Sequence, residues 1–208
     1  MRKSLLVGFA VLLLQGCAMG VKHDYQTPLD LRVSTPAPVA VATLDNRPYV
    51  VNGQKPANFV GLSRGGFGNP FDVTTQSGQP LASDISGSIV ASMKGKGVDA
   101  KVVELKPGTP ESEALSQLRA AGAQKSVLLT LREWKSDALV NIGFGYDMDL
   151  RVLDRNGKVL ASKAERGNEN LGPGEAFSPG GAARVVPRYK SMMEFYFQDK
   201  DVARALQP

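Results

Sequence analysis

The feature that most constrains the fold is a long alternating segment between residues 141 and 153. Every second residue on one side is large and apolar, and these residues are Phe144, Tyr146, Met148, Leu150 and Val152. Because side chains alternate between the two faces of a strand, this pattern predicts a long, half-buried strand. Asn156-Gly157 is the pair favoured at a two-residue turn, and residues 159–166 are predicted to pair back as a hairpin.

Upstream of this hairpin, apolar runs with strand character alternate with segments of helical periodicity. The run Ser126–Leu131 is apolar almost throughout, which is typical of a strand covered on both faces. Four apolar residues form one helical stripe: Leu81, Ile85, Ile89 and Met93. The predicted elements are strands at 39–44, 49–51 and 58–63, a helix at 80–95, a strand at 98–105, a helix at 109–122, the strand at 126–131, the hairpin, and a helical region at 183–206.

The first 17 residues have the pattern of an export signal. Arg2 and Lys3 provide a positive start, and an apolar run of ten residues extends from Leu5 to Leu14. A helix that spans a bilayer needs about 20 residues, so this run fits a signal peptide better. It ends in Leu14-Gln15-Gly16-Cys17, which resembles the lipobox of bacterial lipoproteins, with Gln15 in place of the usual small residue.

The lipobox resemblance implies cleavage between Gly16 and Cys17 and a diacylglyceryl group on the cysteine. It also implies acylation of the freed amine, with a fatty acid such as palmitate. Several chains are needed because each buried methylene contributes about 0.8 kcal/mol and one chain anchors only marginally. Ala18 and Met19 follow the cysteine, where an aspartate would favour the inner membrane, so the resemblance implies the periplasmic face of the outer membrane.

The mature chain is predicted to divide into a tether and one domain. Residues 18–38 are polar and rich in proline, which predicts a flexible tether with a solvated His23. Residues 39–208 are predicted to form a single domain of α/β to α+β class. Its sheet is mixed, β-α-β-α-β followed by the hairpin, with helices packed on it and a C-terminal helix. The element order over 39–165 resembles the small α/β domains of periplasmic lipoproteins, such as the TolB amino-terminal domain.

The composition excludes several kinds of site. His23 is the only histidine and Cys17 the only cysteine, which excludes a Ser-His-Asp triad, a Cys-His pair and a zinc site made of Cys and His. Without Arg2 and Lys3 the chain has 23 basic and 20 acidic residues and no basic cluster, so nucleic acid is not an expected partner. We expect no enzyme activity, no metal and no cofactor.

One irregular segment is the first candidate for a partner or ligand loop, and its residues are Arg64, Gly65, Gly66, Phe67, Gly68 and Asn69. Its glycines permit positive φ or a close backbone approach. No Lys-Ser/Thr pair follows, so it is not a P-loop. The favoured interpretation is a long loop packed down by Phe67 and Phe71. The Gly- and Pro-rich segment 167–181 is predicted to be a mobile loop and a second contact surface.

The sequence favours a non-catalytic, membrane-anchored lipoprotein that acts as an interaction or assembly module of the cell envelope, with an envelope protein as its partner. One alternative is a binder of a small ligand or glycan that uses Arg64 and the glycine-rich segment. Another is a hydrolase that uses Asp147 and Asp149, which share a strand face. The favoured interpretation of these two carboxylates is a solvated sheet face with Arg151 as an ionic neighbour.

Overall fold

The computed structural model describes residues 20–174 and 180–207. Within them, one mixed sheet contains β1 (Lys22–His23), β2 (Val39–Asp45), β3 (Phe59–Arg64), β4 (Pro70–Thr75), β5 (Ala100–Val102), β6 (Lys125–Ala138), β7 (Asn141–Asp154) and β8 (Val159–Pro173). The helices are α1 (Pro48–Val51), α2 (Leu81–Gly95), α3 (Glu111–Ala120), α4 (Gly180–Gln198) and α5 (Lys200–Ala205).

Strand β6 is the centre of the sheet. One of its edges pairs with β7, which pairs with β8, so these three strands form an antiparallel meander. On the other edge, the first half of β6 pairs in parallel with β2, and the second half pairs in parallel with β3. Strand β2 continues to β5, whereas β3 continues to β4 and β1. The structure confirms a single domain with a mixed sheet, packed helices and a C-terminal helix, of α+β class.

The two faces of the sheet carry cores of different size. The larger core lies under α2 and α4, and the alternating apolar residues of β7 point into it. An aromatic group stands at its centre, made of Tyr25, Trp134, Phe144 and Tyr189 with edge-to-face ring contacts. The smaller core lies under α3 and is mostly aliphatic, formed by residues such as Ala42, Leu44, Ala114, Leu118 and Leu128. The first half of β6 is therefore covered on both faces, as its apolar run predicts.

The structure corrects the predicted tether over its described part, residues 20–38, which we call the N-terminal strap. From residue 23 to residue 37 the odd-numbered side chains are buried, with Thr27 half-buried, and the even-numbered ones are exposed. The strap is held between α2 and α4. Ser88 Oγ donates to Thr27 O at 2.6 Å, and the backbone N–H groups of Leu29 and Asp30 donate to Ser92 Oγ at 2.9 Å and Glu194 Oε1 at 2.8 Å.

The prediction for His23 is also corrected, because this residue of the strap is buried and not solvated. Its Nδ1 is 3.4 Å from the hydroxyl of Tyr25, which in turn accepts a hydrogen bond from Trp134 Nε1 at 2.9 Å. The strap thus reaches the aromatic centre of the larger core. The packed part of the chain begins before residue 39.

Several predicted elements also differ in extent or in kind. The strand predicted at 98–105 is only β5, Ala100–Val102, and the strand predicted at 126–131 extends over Lys125–Ala138. Residues 49–51 form α1 and not a strand, since Pro48 has the fixed φ that suits the first position of a helix. Residues 167–173 belong to β8 and not to a loop, while residues 175–179 of that predicted loop lie outside the described residues. The last helical region divides at Asp199, whose carboxylate accepts the N–H groups of Asp201 and Val202 and caps α5.

Gly61 is required where β3 meets β6. A Cβ at this position would lie 2.1 Å from Ser136 Oγ and 2.6 Å from Ser136 O, and the second atom belongs to the backbone of the central strand. We therefore expect Gly61→Ala to lower the free energy of unfolding by about 1–3 kcal/mol, measured by urea denaturation. Gly87→Ala on α2 is the control, because its Cβ would meet nothing within 4 Å. Equal stability of the two variants would contradict this close approach.

Candidate functional site

The sheet brings two of its turns to the same end. Ser63 near the end of β3 pairs with Ala138 at the end of β6. Next to this pair, Arg64 holds Asp137 through two hydrogen bonds, Nε to Oδ1 at 2.7 Å and Nη2 to Oδ2 at 2.6 Å. The β3–β4 turn and the β6–β7 turn follow directly, and we call this the turn end of the sheet.

The predicted long, packed loop at 64–69 is instead a tight hairpin turn. Gly65 N donates to Asn69 O at 2.9 Å, and Gly68 N donates to Gly65 O at 2.7 Å, with Gly68 at φ +81°. Phe67 is 99% exposed and Phe71 46% exposed, so neither packs the segment down. The reason is that β4 begins at Pro70 and leaves a turn too short to fold back onto the core.

The β6–β7 turn adds two more exposed apolar side chains. Leu139 is 42% and Val140 is 73% exposed. We call the set of Phe67, Phe71, Leu139 and Val140 the apolar tip. Leu139 and Val140 form an apolar pair directly before the alternating segment, and this pair could have indicated an exposed apolar turn. The sequence-based prediction did not include it. No local pattern shows that this turn lies beside the β3–β4 turn.

The chain enters the domain at this same end. Strand β1 is parallel to β4, with Lys22 opposite Thr74, and Thr74 N donates to Val21 O at 3.3 Å. A Cβ built on Gly20 would lie 3.6 Å from Asp72 O. Followed backwards, the strap therefore runs along β4 toward the β3–β4 turn. Gly16 and Cys17 lie outside the described residues, so cleavage and lipidation there stay predictions.

The geometry gives the predicted ligand loop little to bind with. Asp137 binds the Nε and Nη2 edge of the Arg64 guanidinium, and these hydrogen bonds and the opposite charge hold the pKa of Arg64 above its ordinary value. Within the turn, Gly65 N donates to Asn69 O and Gly68 N donates to Gly65 O. The six predicted residues lie together, but as a turn whose basic group already has a partner.

The two carboxylates of the hydrolase alternative lie in an ionic network. Arg132 Nη1 is 3.2 Å from Asp147 Oδ1, and Arg132 Nη2 is 3.8 Å from Asp149 Oδ2. Arg151 Nε is 3.5 Å from Asp149 Oδ2, and its Nη1 contacts Glu111 on α3 at 2.8 Å. Arg151 is an ionic neighbour as predicted, but the face is half-buried rather than solvated, since Asp147 is 23% and Asp149 is 18% exposed. Residues 20–174 and 180–207 contain no group of three or more side chains suited to hold a metal ion.

The unpaired edge of strand β8 is a second exposed surface, and the sequence did not predict a strand of this length. It is 15 residues long, and within the described chain it pairs with β7 alone. Its even-numbered residues from 160 to 170 are exposed, including Ser162 and Asn168. Residues 167–173 of this strand belong to the segment 167–181, which its glycine content predicted to be a loop. A long strand with one open edge offers backbone donors and acceptors to another chain.

No protein-family model and no curated protein matches the chain. Solved structures of similar path include protein XCC0632 from Xanthomonas campestris, of family DUF330, with 11% identity, a TM-score of 0.48, and 85% of this chain and 91% of that chain covered. Lipoprotein GNA1162 from Neisseria meningitidis has 16% identity, a TM-score of 0.30, and coverage of 76% and 99%. The C-terminal domain of LpoB from Salmonella enterica has 12% identity, a TM-score of 0.33, and coverage of 66% and 86%.

These likenesses concern the path of the chain, and we transfer no functional residue from them. Among the described residues, no helix is both long and apolar enough to cross a membrane.

Proposed function

We propose that this chain is a non-catalytic lipoprotein of the cell envelope, held by lipid on Cys17 at the periplasmic face of the outer membrane, whose domain binds an envelope protein. The observation that carries the proposal is the path of the chain after the lipobox. Gly20 comes three residues after Cys17 and already lies beside Asp72 of β4. The lipid therefore holds the folded domain directly.

The short connection between Cys17 and the folded domain restricts where a partner can meet this domain. Three residues span at most about 10 Å, from Cys17 to Gly20. A flexible tether of the predicted length would instead give a root-mean-square reach of about 25 Å. A domain held this close samples few heights and orientations, so its partner must itself lie near the membrane surface.

We assign the partner surface to the open edge of β8. Main-chain groups on such an edge can pair with an added strand, and the exposed side chains beside it select the partner. The strand carries Lys163, Glu165, Arg166 and Glu169, and charges of this kind discourage indiscriminate edge pairing. These charges therefore favour pairing with one partner of complementary sequence over aggregation of the chain with itself.

In-cell photo-crosslinking tests the anchor and the partner together. A photoreactive residue at Asn168, exposed on β8, is expected to capture one envelope protein from the native chain and none from Cys17→Ser. Intact mass of the purified native protein should show a chain that begins at Cys17 and carries lipid, and Cys17→Ser should carry none. Gln15→Ala, which restores the usual small residue of the lipobox, should be lipidated as the native chain is.

A photoreactive residue at Lys101 provides the positional control. Lys101 is exposed on β5, the short strand at another edge of the sheet. The same captured proteins from positions 101 and 168 would overturn the assignment to β8. A native mature chain without lipid would overturn the anchor.

A further inference from the structure

We infer that the apolar tip is a membrane-contact surface, at which Phe67 and Val140 enter the interfacial region of the bilayer that holds the lipid on Cys17. The inference rests on the proposed lipid anchor and deepens it, because it names the face of the domain that meets the membrane. The occupant is lipid and not a second copy of the chain.

The chain leads from the tip toward the proposed lipid anchor. The strap runs backwards along β4, from Lys22 opposite Thr74 to Gly20 beside Asp72. Three further residues back to Cys17 reach at most about 10 Å. Three residues of extended chain, from Asp72 back to Asn69 in the β3–β4 turn, also span about 10 Å. The lipid on Cys17 can therefore leave the protein at the level of the β3–β4 turn.

Exposed apolar side chains cluster at the level of this turn. Eight large apolar side chains are exposed in the described part of the chain, and four of them form the apolar tip. Phe67, Leu139 and Val140 lie on two turns joined by the Arg64–Asp137 ion pair, and Phe71 lies at the start of β4, directly after the first of these turns. Single exposed apolar residues are ordinary, whereas a group on one projecting end indicates an interaction surface. Aromatic and aliphatic side chains of this kind suit the boundary between headgroups and acyl chains.

The charged side chains at the base of the tip are paired. Arg64 is paired with Asp137, and Lys55 is paired with Asp72. A charge that approaches the bilayer without a partner pays a large desolvation penalty, and these ion pairs reduce it. The tip thus presents apolar side chains outward and neutralised pairs behind them.

Tryptophan fluorescence on vesicles tests the inference with the lipidated full chain. Phe67→Trp places a reporter at the tip, while the native Trp134 is buried and gives a constant background. On vesicles of phosphatidylethanolamine and phosphatidylglycerol, emission from position 67 should shift to the blue. Phospholipids brominated near the headgroup should quench it about twofold, as expected for a side chain in the interface.

Leu160→Trp is the control, since Leu160 is also an exposed apolar residue but lies at the opposite end of the sheet. It should show neither the shift nor the quenching. If the protein binds vesicles but tryptophans at positions 67 and 160 are quenched equally, or neither is quenched, the membrane-contact face is wrong. The proposed lipid anchor is not contradicted by that result. Native protein that carries no lipid and does not float with vesicles overturns both. If the emission from position 67 is shifted to the blue without vesicles and the protein has the mass of a dimer, the tip contacts a second copy of the chain. That result overturns the inference.

Discussion

Arg47→Met is expected to lower the free energy of unfolding by about 3–5 kcal/mol, because it leaves one charge of a buried pair without its partner. Arg47 and Asp45 are both fully buried. Arg47 Nε lies 2.8 Å from Asp45 Oδ1, and Nη2 lies 2.7 Å from Asp45 Oδ2. The methionine replaces the volume of the side chain but none of these hydrogen bonds.

The cost extends beyond the ion pair. Arg47 also donates from Nη1 to Phe59 O at 2.6 Å and from Nη2 to Ala57 O at 3.0 Å. Ala57 lies in the connection before β3, and Phe59 is the first residue of β3, so the guanidinium ties the end of β2 to the start of β3. Phe59 O would lose this donor in the interior, at about 1–3 kcal/mol for a buried group left unsatisfied. Ala57 O would keep the hydrogen bond that it accepts from Leu81 N at 3.1 Å.

A surface pair of the same chemistry provides the control for Arg47→Met. Arg64 binds Asp137 with the same two-pronged geometry, but both side chains are about one-third exposed. Arg64→Met should therefore cost at most about 1 kcal/mol in the same urea denaturation experiment. Losses of similar size in the two variants would contradict the strong dependence on burial that this prediction assumes.

The sequence predicts best the elements whose repeating pattern of apolar residues is complete within one short segment. The β7 pattern, a tight turn at Asn156-Gly157 and the four-residue stripe of α2 each depend on residues close in sequence, and the structure confirms them. The turn is one residue longer than the predicted two-residue turn, because Asp154 N bonds to Lys158 O and residues 155–157 lie between them, with Gly157 at φ +85°. The strap also has a period, since Tyr25, Leu29, Leu31 and Val33 alternate with polar residues. Its prolines and polar content concealed this alternation, and the strap is held by side chains of α2 and α4 more than by a strand ladder.

The apolar tip could not be predicted, because it depends on contacts between distant segments. The parallel pairing of β3 with β6 joins Ser63 to Ala138, and nothing near either residue specifies the other. Strand β4 was missed because it is short and mostly exposed, with Val73 as its main buried apolar residue. Once β4 is placed, the exposure of Phe67 follows from the shortness of the turn.

Acid is expected to destabilise the domain through His23. Burial lowers the pKa of His23 from its ordinary value of 6.5 to about 4. Below pH 6.5 the unfolded chain takes up a proton that the folded chain refuses until about pH 4, so stability is complete above pH 6.5 and falls as the pH drops through this window. At about 1.4 kcal/mol per pH unit, the full loss is about 3 kcal/mol.

The structure also shows what a proton on His23 would disturb. The neutral ring can accept at Nδ1 from the Tyr25 hydroxyl, which itself accepts from Trp134 Nε1. A protonated ring carries a hydrogen on Nδ1 and can no longer accept this bond. The strap around His23 should loosen first, because the histidine lies in it and Tyr25 connects it to the aromatic centre.

Urea denaturation of the mature chain at about pH 7 and about pH 4.5 measures this loss, with His23→Gln as the variant that cannot titrate in that window. The native chain should lose about 2–3 kcal/mol between the two pH values beyond what the variant loses. Asp84, whose pKa burial raises, is present in both proteins, so its contribution cancels in the difference. Equal losses in the native chain and His23→Gln would show that other groups, and not the buried histidine of the strap, set the acid sensitivity of the fold.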